Sequence, residues 1–392
     1  MVAVTQLPLE QPHPLRVPPL LRDMQANGSV HRVRTEVGDP AWLITGHATV
    51  RRLLEDDRLG RSHPQPEAAA RAGESVLFGG PTGNFATERA DHTRMRTLLQ
   101  PHFTPKHMRA LTGRIEALTT QLLDTMAEQG PPVDLHTAVA LPLPILVICE
   151  LLGVPYEDRD QFRRWTTQAS NTRDRELSVH GVWQLFGYGQ RLVAAKRHQP
   201  GDDVISRLCA TKGVPDDEIA WLSMALLFAG HETTVVQIGL ATLLLLAQRE
   251  QWQALVNDPG LVSRAVEETL RSSRKGGGGT IPRYASADLE VDGVTIKTGE
   301  LVLIDIAAAN QDPVAFADPD RVDITRSSLA HLTFGYGPRY CLGAPLARVE
   351  LQVALSQLAS RFPTLRLAVE VDELTMRADV LVGGLTELPV RW

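Results

Sequence analysis

The chain has 392 residues, a formal charge of −6, 43% hydrophobic and 22% charged residues, which is the composition of an ordinary globular protein with a large buried core. The negative balance argues against a nucleic-acid surface as the main function. Its three cysteines, Cys149, Cys209 and Cys341, offer no disulfide framework and suit a reducing compartment.

The first 21 residues are Pro-rich and lack the basic-then-apolar pattern of a signal peptide. The longest apolar stretches, 138–149 and 238–247, are shorter than the roughly 18 residues a membrane span requires. A cytoplasmic protein with no membrane partner is expected. No linker, charge block or repeat divides the sequence, so one domain over 1–392 is expected. Residues 31–36 and 41–45 read as two strands turning at Gly38, Asp39 and Pro40, and 49–55 as a helix. Residues 63–90, rich in Gly, Ala, Pro and Glu, read as a long mobile loop. Residues 92–186 read as mainly helical, with the apolar spacing of Ile115, Leu118, Leu122, Leu123 and Met126 marking a helix over 112–126.

Pro215, Asp216 and Asp217 signal the start of a longer helix over 218–247, about 45 Å at 1.5 Å per residue. It is apolar nearly all round and is expected to lie buried. After Arg274, residues 288–298 read as a hairpin turning at Asp292-Gly293, and 301–305 as another strand. A helix over 343–362 and short terminal strands follow. The sum is mostly helical with a minor sheet.

One segment carries more chemical information than the rest. Phe334, Gly337, Arg339, Cys341 and Gly343 stand in the spacing F-x-x-G-x-R-x-C-x-G. A lone cysteine is more often a small buried apolar residue, but the clustered glycines would then be without purpose. A cysteine that does chemistry does so as its thiolate. Backbone amides turned by glycines, together with the start of the following helix, stabilise that charge. Cys149 and Cys209 read as structural.

The spacing resembles the haem-binding loop of cytochromes P450, with Cys341 as the thiolate ligand to the iron of haem b (iron protoporphyrin IX) and Phe334 beside it. Residues 229–234 are similar to the family's oxygen-binding stretch. By that resemblance Ala229 and Gly230 border the haem, Thr233 hydrogen-bonds the oxygen being activated, and Glu232 relays protons from solvent. Gly230 and a Thr233 bond to a preceding carbonyl are expected to kink the helix; His231, at the variable position, receives no catalytic role. His92 and Arg96, Arg283, His331 and Arg339 are the implied partners of the haem propionates, which require cations or donors when buried. Glu268 and Arg271 match the family's E-x-x-R helix, with Arg321 as the implied third member of a structural cluster. Val322 stands where the family usually has Phe.

The resemblance implies a mainly α fold, a triangular prism of helices with a minor β region. It implies a monooxygenase that inserts one atom of O2 into a small hydrophobic, natural-product-like substrate by hydroxylation or epoxidation. The sequence has no flavin or iron–sulfur segment, so ferredoxin and ferredoxin reductase are the implied electron donors, serving a monomer. Oxidative coupling, peroxide-driven oxidation and a non-catalytic haem-binding role are the alternatives. Substrate walls are expected from residues 63–90, 163–200, 225–233 and 276–281, with a closing loop near 381–385. The glycine run 276–279 is expected to widen the pocket.

Overall fold

The structure is a computed structural model that describes residues 4–10, 13–274, 280–327 and 330–392. Its axis is the helix Asp216–Ala247, whose first turn carries Asp216, Asp217 and Glu218. Three acidic groups there complement the positive end of the helix dipole. From Leu222 onward most of its side chains are buried, because an apolar circumference leaves no face that prefers water. It is the one helix among the described residues long and apolar enough to cross a membrane, yet 61% of its most apolar window is buried inside the protein.

Around it pack Pro142–Leu152, Arg175–His198, Val262–Ser272 and Ala344–Arg361. Their apolar faces form one large core, reaching from Leu99 to Val390. The expected helices are present with small changes of boundary: His47–Glu55, Thr112–Gln129 and Ala344–Arg361. Residues 100–186 are broken by short turns, including a π-type turn at His136–Ala140 that leads into Pro142–Leu152.

The minor β region is a mixed six-stranded sheet and two small companions. Val30–Arg34 pairs antiparallel with Pro40–Ile44 through the expected turn, and Leu301–Asp305 lies between Pro40–Ile44 and Thr280–Ala285. The Asp292-Gly293 hairpin joins Leu289–Val291 to Val294–Ile296, with both turn residues at positive φ, as such a two-residue turn requires.

The 63–90 segment is irregular up to Thr87 apart from the short turn Pro66–Ala68, its last residues open the helix Glu88–Leu99, and it is not loosely attached. The Arg71 amide donates to Asp39 (2.7 Å), Tyr284 donates to the Ala70 carbonyl (2.7 Å), and the Val76 amide donates to the Ser178 hydroxyl (3.0 Å). The Glu74 amide reaches the Thr172 carbonyl at 2.9 Å. This loop therefore packs on the connection between the helices Arg159–Ala169 and Arg175–His198, and on the first turn of the latter. The glycine run 276–279 lies outside the described residues.

Candidate active site

The Cys341 loop is shaped by backbone conformation. Gly335 and Gly337 have φ of +74° and +68°, a region other residues rarely adopt. A Cβ on Gly337 would also lie 2.8 Å from Glu55 Cγ. The Cys341 amide closes the loop onto the Phe334 carbonyl at 2.8 Å. Cys341 is exposed, whereas Cys149 and Cys209 are buried, and burial pushes the Cys149 thiol up to about 12. A Cβ on Gly343, the N-cap of Ala344–Arg361, would lie 3.9 Å from the Cys341 sulfur. The sulfur thus sits beside a helix N-terminus, which favours its thiolate.

The loop is moored from behind. His331 Nε2 pairs with Glu267 at 3.0 Å, and Arg348 grips the same carboxylate at 2.6 and 2.9 Å. The Arg348 guanidinium lies over the Phe334 ring, 4.5 Å from its centroid. Burial opposes ionisation of Glu267, but the His331 and Arg348 bonds outweigh it and hold its carboxyl down at about 2. His331 Nδ1 accepts from the Thr333 amide at 3.3 Å. Both ring nitrogens are therefore committed within the protein, and the structure corrects the expectation that His331 joins the propionate group. It anchors the loop.

Four other expected residues do come together. Glu88, His92 and Arg96 succeed one another by one turn on Glu88–Leu99. Arg96 donates to the Tyr340 carbonyl, next to Cys341, at 2.5 Å. Arg339 donates to Glu88 at 2.8 Å. Burial and then the Arg339 and Arg96 charges lower the His92 pKa, with Arg283 adding to the effect. Arg283 is buried, and its bond to the Pro282 carbonyl (2.9 Å) brings no negative charge. Burial, then the like charges of Arg61 and Arg339, draws its pKa down to about 9.

Sequence reasoning missed two members of this group. Arg61 is drawn down to about 10, chiefly by burial, and its Nε has no hydrogen-bond partner. Glu88 accepts from the Arg61 and Ser62 amides (2.7 and 2.9 Å) and from the Ser62 hydroxyl. Burial opposes its ionisation, but these bonds and Arg339 hold it at about 2. Glu88 was legible as a carboxylate one turn before His92; Arg61 had no sequence signal.

Such a cluster is costly, because buried cations require anions. Arg61, Arg283 and Arg339 all act on the carboxylate of Glu88, and Arg96 adds a further cation beside His92. The surplus positive charge, beside an exposed thiol, fits a ligand with two carboxylates and a metal centre. Haem meets that description: the arginines suit its propionates and Cys341 its iron.

The central helix supplies the facing chemistry. Ala225 and Ala229 are exposed on a helix otherwise mostly buried, and Thr233 continues that face one turn on. Thr233 donates to the Ala229 carbonyl at 2.9 Å, as expected, but the helix runs unbroken from Asp216 to Ala247. Room on this face comes from small side chains. Gly230 has a packing reason: a Cβ there would lie 2.6 Å from Ile148 Cδ1, so Gly230 lets the Pro142–Leu152 helix approach. Glu232 is nearly buried, 3.6 Å from His231 and 3.5 Å from Arg377. Burial disfavours its charge, but His231, Arg377 and Arg163 outweigh it and lower its pKa.

Glu268 and Arg271 form a fully buried ion pair, at 2.9 and 2.8 Å. The expected third member is corrected. Arg321 is exposed and offers only its carbonyl, 3.2 Å from Arg271, while the Arg326 guanidinium lies 3.4 Å from Glu268. The segment turns at Asp318 (φ +44°), and Arg326 is the arginine that is partly buried against Glu268.

Comparison with known proteins agrees with this geometry. Residues 190–382 match the family model described as Cytochrome P450. The chain is 40% identical to pentalenolactone synthase of Streptomyces exfoliatus, with 100% of both proteins covered. It is 37% identical to mycinamicin IV hydroxylase/epoxidase of Micromonospora griseorubida, with 98% of each covered. Among solved structures, the putative thioether synthase SgvP superposes with a TM-score of 0.93 at 35% identity over 100% of both chains. The substrate-free cytochrome P450 PimD, a pimaricin epoxidase, gives 0.89 at 39% identity over 99% of each. The chain belongs to the cytochrome P450 family: it is a haem-dependent P450 monooxygenase with the family's mainly α fold.

Proposed function

We propose that the enzyme inserts one oxygen atom from O2 into a hydrophobic, natural-product-like substrate, by hydroxylation or epoxidation. Electrons come from a separate ferredoxin and ferredoxin reductase, and the protein works as a cytoplasmic monomer. The observation that carries this reading is the exposed Cys341 thiol next to a helix N-terminus and an under-neutralised arginine cluster. The substrate class is supported by relatives named for pentalenolactone and mycinamicin.

Bound haem, ligated through the Cys341 thiolate, supplies an electron-rich iron suited to O–O cleavage. The chain's own groups do the rest. Arg61, Arg96, Arg283 and Arg339 hold the propionates, with His92 alongside. Ala225 and Ala229 leave space on the central helix, and the Thr233 hydroxyl, oriented by the Ala229 carbonyl, offers a hydrogen-bond position there. Glu232 moves protons from the Arg377 side toward Thr233, as general acid catalysis requires a group within reach of the reacting atom. A second reading, oxidative coupling, is favoured by the similarity to a protein described as a thioether synthase.

A reduced carbon monoxide difference spectrum tests the thiolate ligation, with a strongly red-shifted Soret band expected. NADH-driven product formation with surrogate ferredoxin partners tests turnover, after a compound library has been screened for spectral binding shifts. Oxygen incorporated from 18O2 supports insertion; a product lacking it favours coupling.

A further inference from the structure

His231 was left without a role by its sequence position, yet its surroundings are restrictive. The ring is fully buried and edge-on to Phe162, with centroids 5.6 Å apart. Its Nδ1 lies 2.6 Å from the Leu227 carbonyl oxygen. A carbonyl only accepts, so Nδ1 carries hydrogen. The other nitrogen, Nε2, has no hydrogen-bond partner and lies 3.6 Å from Glu232 Oε1. With Nε2 bare and Glu232 ionised, a lone pair would face a carboxylate in a dry interior, an arrangement that costs free energy on both sides. One proton between them removes the conflict.

The groups around the pair decide where that proton rests. Arg377 lies 3.5 Å from Glu232 Oε2. Arg163, on the Arg159–Ala169 helix, also favours the carboxylate, and His136, from the turn His136–Ala140, senses Glu232, Arg377, Arg163 and Asp134. The charges of Arg377 and Arg163 both favour the anionic form of Glu232.

We propose that His231 is a proton reservoir for Glu232, storing one proton on Nε2, 3.6 Å from the Glu232 carboxylate. This rests on the reading of Glu232 as the relay. When a proton is drawn toward Thr233, the Nε2–H bond breaks and an O–H bond forms at Glu232 Oε1. The carboxylic acid then releases that proton to the cavity. Neutral His231, still donating from Nδ1 to Leu227, is recharged by a solvent proton entering through Glu232 beside Arg377, whose side chain is 26% exposed. One proton leaves and one enters; no electrons move. His231 is a positioning and storage residue, not a catalytic one.

Nitrogen-15 NMR of histidine-labelled holoenzyme tests this in the diamagnetic ferrous carbon monoxide form, with H231Q assigning the resonance. Both His231 nitrogens should be protonated at about pH 7, and E232Q should strip Nε2 of its proton there. A neutral imidazole with a bare Nε2 throughout about pH 6 to 8 overturns the proposal. In turnover, H231Q and the apolar H231F should lose on the order of tenfold in coupled product formation at alkaline pH and less at acid pH. That is small beside the roughly 10²–10⁴ of a directly acting general acid. An equal loss at all pH values also overturns it. E232Q separates the two failures: unchanged turnover in E232Q removes the relay itself, whereas an impaired E232Q beside a normal H231Q removes only the reservoir.

Discussion

Replacing Arg271 with Met tests how the fold supports the cysteine loop. Arg271 grips Glu268 with two bonds, and donates to the carbonyls of Asn310 and Pro319 (each 3.0 Å) and Arg321 (3.2 Å). Asn310 in turn accepts from the Leu332 amide (2.6 Å) and donates to Thr333 (2.9 Å), just before the loop. Removing one member of a buried ion pair costs roughly 3–5 kcal/mol, because the other charge stays buried. Here Glu268 keeps the Asp323 amide at 3.0 Å and Arg326 at 3.4 Å, which softens the loss. Three carbonyls lose a donor, at about 1 kcal/mol each, so with the low end of the charge penalty we expect about 6 kcal/mol in total. Urea unfolding of the haem-loaded protein, with haem transfer to an acceptor apoprotein as a second readout, should show lower stability and faster haem loss. E268M/R271M should be less destabilised than the sum of the two single changes, by roughly 1–3 kcal/mol. Strict additivity would refute the argument that a stranded charge adds to the loss.

Four further outcomes are expected. Cys341→Ser should abolish the thiolate-type absorption spectrum and leave the far-ultraviolet circular dichroism unchanged, since residue 341 is exposed. Arg283→Gln should speed haem transfer to an acceptor with little dependence on salt, because a buried charge is only weakly screened. Gly337→Val should lower haem content in the purified protein, because both its φ and the Glu55 contact oppose a side chain. Glu350 is fully buried with Oε2 unpartnered, and burial pushes its carboxyl up to about 8. The folded chain then holds a proton that the unfolded chain releases above its ordinary value of about 4.5, so stability falls as pH rises between those values. Glu350→Gln should flatten that fall by a few kcal/mol, read as the thermal midpoint at about pH 6 against about pH 9.

What the sequence disclosed depends on how locally each feature is encoded. The Cys341 loop was legible because its glycines, arginine and cysteine lie within a dozen residues and each answers a local demand. The central helix was legible from its apolar run and acidic start. His331 was misassigned because its partner Glu267 is 64 positions away, a pairing no spacing rule encodes. Arg321 and Arg326 are both arginines of one irregular segment, and only the folded chain shows which guanidinium turns inward. Gly230 matched the oxygen-binding stretch, yet its immediate constraint is Ile148 on another helix.

Three treatments of buried charge within one chain separate structure from site. Glu268 and Arg271 meet in a two-bond buried pair with Arg326 alongside, so their pairing serves the fold. Glu350 has no counter-charge among the described residues and is held as the neutral acid. Arg61 and Arg283 are neither matched nor readily neutralised: even drawn down to about 10 and about 9, they stay protonated at neutral pH. A protein retains such unmatched cations when an anionic ligand completes them, and stability alone would favour apolar residues of similar volume. By the same reasoning His231 and Glu232 form an intermediate case, a pair whose balance is set by one mobile proton. Such a pair suits a proton relay, because moving that proton changes the charge of each partner without stranding either.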